Sequence, residues 1–235
     1  MKYKYILLDI DGTLIDFDAS FKAAAKKILE ADMTPATNEN IDMYYRINDD
    51  AWFGLDMENI HNPYIISNYH ELYRQYIINA AKESYRIMKL NSEPQILADW
   101  YETQWAACSV TNPNTVSVCK TLADNHTLCI ATNGLTHIQR NKLTAFNEYL
   151  THYFISEGIN HIKPEKEYFI HILEKLDATP NECLMVGDSL HNDIGGANSA
   201  GIASCYYNPL GKINNTDIIP TYEIRDFNEL LEIVK

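Results

Sequence analysis

The sequence predicts an α/β protein: a Rossmann-like parallel sheet core interrupted by an inserted all-helical cap. Three observations carry that expectation. The short apolar run Tyr5–Leu8 leads directly into Asp9-Ile-Asp11-Gly12-Thr13, the pattern of a strand buried on both faces and closed by a glycine turn. Residues 38–108 show helical periodicity and no convincing strand. From Thr127 onward, apolar strand-like runs alternate with helical stretches of about 10–15 residues, which implies right-handed crossovers and a parallel sheet.

Taken in order, the first strand delivers Asp9 and Asp11 to one side, because residues two apart in extended chain share a face. Gly12 then allows the backbone to leave at an angle that other residues resist. A helix is expected from Ser20, a plausible N-cap, to Asp32, with Phe21, Ala24, Ala25, Ile28 and Leu29 as its apolar face. Helical spacing recurs at Ile41, Tyr44, Tyr45, Ile47 and Asn48, at Tyr69, Leu72, Tyr73, Tyr76 and Ile77, and at Ile96, Leu97, Trp100, Tyr101 and Trp105, with Pro63 and Pro94 as punctuation. Asn112-Pro113 signals the start of a further helix running to about Asn125. Strands are then expected at Thr127–Thr132, Tyr153–Ser156, Glu182–Gly187 and Ile202–Tyr207, with helices after Thr136, after Pro164 and around Ile194–Ala200. The core therefore comprises residues 1–15 and 110–235, and the cap residues 16–109.

Composition narrows the class. The chain of 235 residues, 46% apolar and 22% charged, is ordinary globular material, large enough for two unequal domains. No run approaches the roughly 20 apolar residues of a membrane span. Met1-Lys2-Tyr3-Lys4 runs straight into the first strand, so no signal peptide and a cytoplasmic location are expected. Five cysteines without a Cys-x-x-Cys spacing read as buried thiols in a reducing compartment. A net charge of −13 repels polyphosphate backbones, which argues against a nucleic-acid polymer as partner.

The chemistry gathers where ligands of open α/β sheets bind, beyond the carboxyl ends of the strands. Strand one ends in Asp9-x-Asp11, the next in Thr132-Asn133-Gly134, Lys163-Pro164 follows the third, and the fourth ends in Gly187-Asp188 with Asp193 close behind. Two carboxylates about 5 Å apart repel by roughly 3 kcal/mol at an effective dielectric near 20. A hard divalent cation offsets that repulsion, and an all-oxygen donor set that keeps waters suits Mg²⁺. One lysine, one hydroxyl and loop amides complete a pocket for a tetrahedral dianion, so a phosphoryl group is the expected guest.

This set resembles the haloacid dehalogenase (HAD) superfamily of aspartyl phosphatases, all four of whose motifs are matched: Asp9-Ile-Asp11-Gly12-Thr13, Thr132, Lys163, and Gly187-Asp188 with Asp193. The resemblance implies that Asp9 is the nucleophile and Asp11 the general acid–base. It implies phosphate binding by Thr132, Asn133 and Lys163, and Mg²⁺ ligation by Asp9, the Asp11 backbone carbonyl, Asp188 and Asp193. The helical insertion is similar to the small C1 cap of subfamily I. Ile130-Ala-Thr-Asn-Gly-Leu-Thr-His-Ile-Gln139, Leu184–Asp188, Ile194–Asn198, Ala200–Cys205 and Pro220-Thr-Tyr222 resemble bacterial pyrimidine 5′-nucleotidases.

The implied function is Mg²⁺-dependent hydrolysis of a small phosphorylated metabolite by a monomer or homodimer, with a nucleoside 5′-monophosphate as substrate. The alternative is a phosphoglycolate or phosphosugar phosphatase or mutase. A 2-haloacid dehalogenase has no role for Asp11 or Asp188, and a non-catalytic module needs no complete motif set. The many rings of the insertion, among them Tyr44, Tyr45, Tyr64, Tyr69, Tyr73, Tyr76, Tyr85, Trp52, Trp100 and Trp105, are expected to include some that line a base-binding cleft, since stacking on one ring is worth about 1–3 kcal/mol.

Overall fold

A computed structural model describes residues 2–235. In chain order its elements are β1 (Tyr5–Leu8), α1 (Phe17–Ala31), α2 (Asn38–Gly54), α3 (Pro63–Met88), α4 (Pro94–Ala107), α5 (Thr115–Ala123), β2 (Thr127–Thr132) and α6 (Thr136–Asn141). There follow β3 (Leu150–Ile155), α7 (Ser156–Ile159), α8 (Lys166–Leu176), β4 (Cys183–Gly187), a π-helical turn (Leu190–Gly195), α9 (Gly196–Ser199), β5 (Ala203–Tyr207), β6 (Tyr222–Ile224) and α10 (Leu230–Ile233). The chain divides into two compact units. One comprises the residues through Asp16, Thr111–Thr136 and Leu143–Lys235, and the other Phe17–Val110 with His137–Lys142.

The first unit is built on a six-stranded, all-parallel sheet of order β3-β2-β1-β4-β5-β6. Successive residues of β1 feed opposite faces. Ile6 and Leu8 pack with Val118, Leu122, Phe146 and Phe227 on one side. Tyr5 and Leu7 pack with Cys129, Met185, Phe169 and Ile172 on the other. Two apolar faces explain why the strands read as unbroken hydrophobic runs. Leu8 lies level with Ile130 of β2 and Val186 of β4, so Asp9 emerges between the ends of two flanking strands. That is the position where the strand order reverses and ligands of such sheets bind.

The second unit is helical. α1 buries Phe21, Ala24, Ala25, Ile28 and Leu29, the stripe read from the sequence. Ser20 is not its N-cap: α1 begins earlier, at Phe17, and the fully buried Ser20 hydroxyl accepts from Val110 N (2.9 Å). Thr37 caps α2 and Asn62 caps α3, whose first residue is Pro63. Pro94 likewise opens α4, because proline costs nothing where the amide has no partner. Tyr44, Tyr69, Tyr76, Tyr101 and Trp105 are buried within this unit. Phe21 touches Tyr44, Tyr45, Tyr101 and Trp105, and Trp52 meets Tyr69, Tyr73 and Tyr76 edge-on. Of the ten rings named from the sequence, Tyr44, Tyr69, Tyr76 and Trp105 are core, Tyr45, Trp52, Tyr73 and Trp100 are half-buried, and Tyr64 and Tyr85 are exposed.

One further sequence expectation shifts, and one strand was not among those expected. The helix announced by Asn112-Pro113 begins at Thr115, while β6, a three-residue edge strand, carries too short a pattern to be read. All five cysteines are free, four of them buried. Among the described residues no helix is long and apolar enough to cross a membrane.

Candidate active site

Four loops at the carboxyl ends of β1 to β4 bring the site together. Asp9 N donates to Val186 O (3.0 Å), which continues the strand one residue and fixes where the carboxylate leaves the sheet. The chain then turns at Gly12, whose φ is +89°. A Cβ there would lie 2.3 Å from Asp188 Oδ2, and one at Gly187 would lie 2.2 Å from Asp193 Oδ2. Both glycines make room for a carboxylate, so the backbone itself sets how closely the acidic groups approach.

Asp9, Asp188 and Asp193 each present a carboxylate oxygen within 4.8 Å of the others. Lys163 answers them from the loop after β3. Its Nζ donates to Asp9 Oδ1 (2.7 Å), Asp193 Oδ1 (2.6 Å) and the Ala131 carbonyl (2.8 Å). Thr13 Oγ1 donates to Asp188 Oδ1 (3.2 Å), and Ser189 N to Asp193 Oδ2 (3.0 Å).

Burial pushes Asp9 up to about 7, with Lys163 opposing and Asp193 reinforcing the shift. Burial, then Asp9 and Asp193, push Asp188 up to about 8. Burial disfavours the Lys163 ammonium, but Asp193 and Asp9 outweigh it and hold its pKa above the ordinary lysine value. One ammonium thus pairs with two of three clustered carboxyls, and the donors are all hard oxygens. That chemistry fits a hard divalent cation of the Mg²⁺ type.

The remaining expected residues divide. Thr132 is buried, its hydroxyl 3.4 Å from Asn133 O. Asn133 directs both ends of its side-chain amide at the Lys163 backbone, Nδ2 to the carbonyl (2.9 Å) and Oδ1 from the amide (2.8 Å). Asp11 is half-buried and its carboxylate is not a member of the three-carboxylate group.

Two supporting residues escaped the sequence reading. Tyr168, fully buried on α8, donates to Phe154 O (2.6 Å) and reaches Thr132 O (3.5 Å). Asn112 donates to the carbonyls of Gly12 (3.2 Å) and Thr13 (2.9 Å), bracing the turn from a hundred residues away. Its Asn-Pro context reads as a helix start, and nothing local marks the tertiary partner.

The sequence model of the family "haloacid dehalogenase-like hydrolase" matches residues 3–201. The chain belongs to this family. This haloacid dehalogenase-like hydrolase is 30% identical to the HAD-hydrolase YfnB of Bacillus subtilis, over 99% of this chain and 96% of YfnB. A crystal structure of YfnB bound to magnesium superposes with a TM-score of 0.80, covering 100% of both chains at 28% identity. The hydrolase is also 29% identical to the pyrimidine 5′-nucleotidase PynA of Streptococcus pneumoniae, over 99% of this chain and 95% of PynA. Against the pyrimidine 5′-nucleotidase YjjG of Escherichia coli it is 27% identical, over 100% of this chain and 99% of YjjG.

Proposed function

We propose that this hydrolase is a Mg²⁺-dependent phosphomonoesterase acting through an aspartyl-phosphate, with nucleoside 5′-monophosphates, pyrimidine ones first, as substrates. The observation that carries the chemistry is the cluster of Asp9, Asp188 and Asp193, of which Asp9 and Asp193 are buried and paired with the Lys163 ammonium. Asp9, Asp188 and the Asp11 backbone carbonyl would hold Mg²⁺, with Asp193 ligating it or orienting its waters. When bound, the ion supplies positive charge that lets an anionic nucleophile approach an anionic phosphoryl group.

The residues of the chain then divide the reaction into two displacements. An Asp9 carboxylate oxygen attacks phosphorus, the bond from phosphorus to the leaving oxygen breaks, and Asp11 gives that oxygen its proton. Asp11, now a carboxylate, takes a proton from water as the water oxygen attacks phosphorus, releasing inorganic phosphate and restoring the Asp9 carboxylate. Lys163 and Thr132 hold the phosphoryl oxygens while charge develops on them.

The substrate assignment is supported by the two full-length relatives named as pyrimidine 5′-nucleotidases. Of the rings named from the sequence, Tyr44, Tyr69, Tyr76 and Trp105 are buried and take no part in this argument, while Tyr45, Trp52, Tyr73 and Trp100 keep exposed surface. Phosphate release from dUMP, dTMP and UMP, compared with phosphoglycolate and hexose phosphates, tests the reading. The expected outcome is activity that vanishes with a chelator, returns with Mg²⁺, and shows the higher kcat/KM for the nucleotides. A tenfold preference for phosphoglycolate or a hexose phosphate would replace the nucleotidase reading with the alternative. Full activity in excess chelator would overturn the metal assignment.

A further inference from the structure

We propose that the Asn133 side chain is a positioning residue: it holds the Lys163 loop in register with β2 so that the Lys163 ammonium meets Asp9 and Asp193. The catalytic consequence of this rests on the phosphatase reading; the positioning does not.

The geometry is that of a backbone pair made by a side chain. Asn133 Oδ1 accepts from Lys163 N (2.8 Å) while Asn133 Nδ2 donates to Lys163 O (2.9 Å). Both hydrogen bonds fall on one residue, so the Lys163 peptide is fixed in orientation as well as place. Directly downstream, Gly134 N donates to Ser156 Oγ (2.9 Å) and Thr136 N to Glu157 Oε2 (2.7 Å). The loop after β2 is thereby stapled at three successive points to the segment that follows β3. At the far end of the lysine side chain, Nζ is directed by Asp9, Asp193 and the Ala131 carbonyl. Lys163 is thus constrained at its backbone by Asn133 and at its tip by the carboxylates. Either constraint alone leaves a flexible four-carbon stem free to swing. Oδ1 and one Nδ2 hydrogen of Asn133 are thereby committed to Lys163.

The test is the ammonium itself. A buried ammonium held by three acceptors exchanges slowly with water, so its ¹H–¹⁵N signal is expected to be resolved in the metal-free wild type and absent from Lys163→Met, which assigns it. In Asn133→Ala, with circular dichroism unchanged, that signal is expected to broaden away. Mg²⁺-dependent hydrolysis of p-nitrophenyl phosphate is expected to fall on the order of 100-fold, the usual cost of a misplaced catalytic group. Asn133→Asp keeps the size of the side chain and its acceptor for Lys163 N but loses the donor to Lys163 O. It should show an intermediate loss of both readouts, and it serves in place of the alanine variant should that chain not fold.

An ammonium signal unchanged in the variants, or never resolved in the wild type, would overturn the proposal. So would a lost signal with undiminished turnover in an active enzyme. A signal lost in Asn133→Ala from a wild type that hydrolyses no phosphomonoester would uphold the positioning and sink the phosphatase reading instead.

Discussion

Asp9 and Asp188 hold their protons to about pH 7 and about pH 8 in the folded chain, because burial and neighbouring carboxylates disfavour their charge. In the unfolded chain an aspartate titrates near 3.9. Between those limits the folded state binds more protons than the unfolded one, so this site's contribution to stability falls as pH rises from about 4 to about 8. Removing Mg²⁺ should therefore cost more at about pH 8 than at about pH 5.5, and the gain in Tm on adding Mg²⁺ should be larger at the higher pH. An equal gain at both would contradict the placement of the ion among these carboxyls. Catalysis separates the first-loop pair. Asp9→Asn should abolish both turnover and covalent phosphate incorporation, whereas Asp11→Asn should lose about 10²–10⁴-fold, the worth of general acid–base catalysis. Near-native turnover in Asp9→Asn would end the mechanism. These residues were legible because their types are costly at strand ends without a purpose. Asn112 and Tyr168 were not, since what they do depends on partners distant in the chain.

At the scale of elements, the helical unit is tied together by a charge that has no catalytic part to play. Asp32 directly follows α1 and is 1% exposed. Its carboxylate accepts from Thr34 Oγ1 (2.6 Å), Asn91 N (3.1 Å) and Ser92 N (2.7 Å), and its carbonyl from Asn91 Nδ2 (2.8 Å). The turn between α3 and α4 is closed on the end of α1 by these bonds. Burial alone would raise the Asp32 pKa, but hydrogen bonds from Thr34, Asn91 and Ser92 outweigh it and lower the value. Asp32→Ala should cost about 1.5–3 kcal/mol, the range for hydrogen bonds to a charged group, read as a lower urea midpoint at constant slope. A depressed pKa gives stability that is present above the unfolded value and lost as pH falls through the folded one. The gap between wild type and variant should hold down to about pH 4 and close on further acidification. A gap independent of pH would mean that the carboxylate charge is irrelevant. Helix faces and proline starts were readable here from periodicity alone. The role of Asp32 was not, because the sequence offers only an acidic residue at a helix end.

At the scale of the whole molecule, a net charge of −13 must be reconciled with an anionic substrate. Local positive charge at the site acts at close range, while the surrounding field repels over a distance set by salt, about 30 Å at 0.01 M and about 8 Å at 0.15 M. With Mg²⁺ saturating, kcat/KM for a nucleoside monophosphate dianion should rise between those ionic strengths; a fall would show that the site's own field dominates. The alternation of strands and helices gave away the parallel sheet, since two apolar faces leave a continuous hydrophobic run. Which rings of the helical unit are core was not legible for the converse reason: a buried ring and a ring facing a ligand share the same spacing. Finally, Ile15 pairs with Thr111 through an antiparallel bridge inside the sheet unit, a separation of about 5 Å. The longer of the chain's two excursions from the sheet unit, Phe17–Val110, thus leaves and re-enters it through one doorway. In chain-statistics terms the excursion from Phe17 to Val110 is a closed loop whose length costs the scaffold little, because closure entropy grows only with the logarithm of length. Insertions of very different size could be exchanged at that doorway over evolutionary time while every strand kept its register.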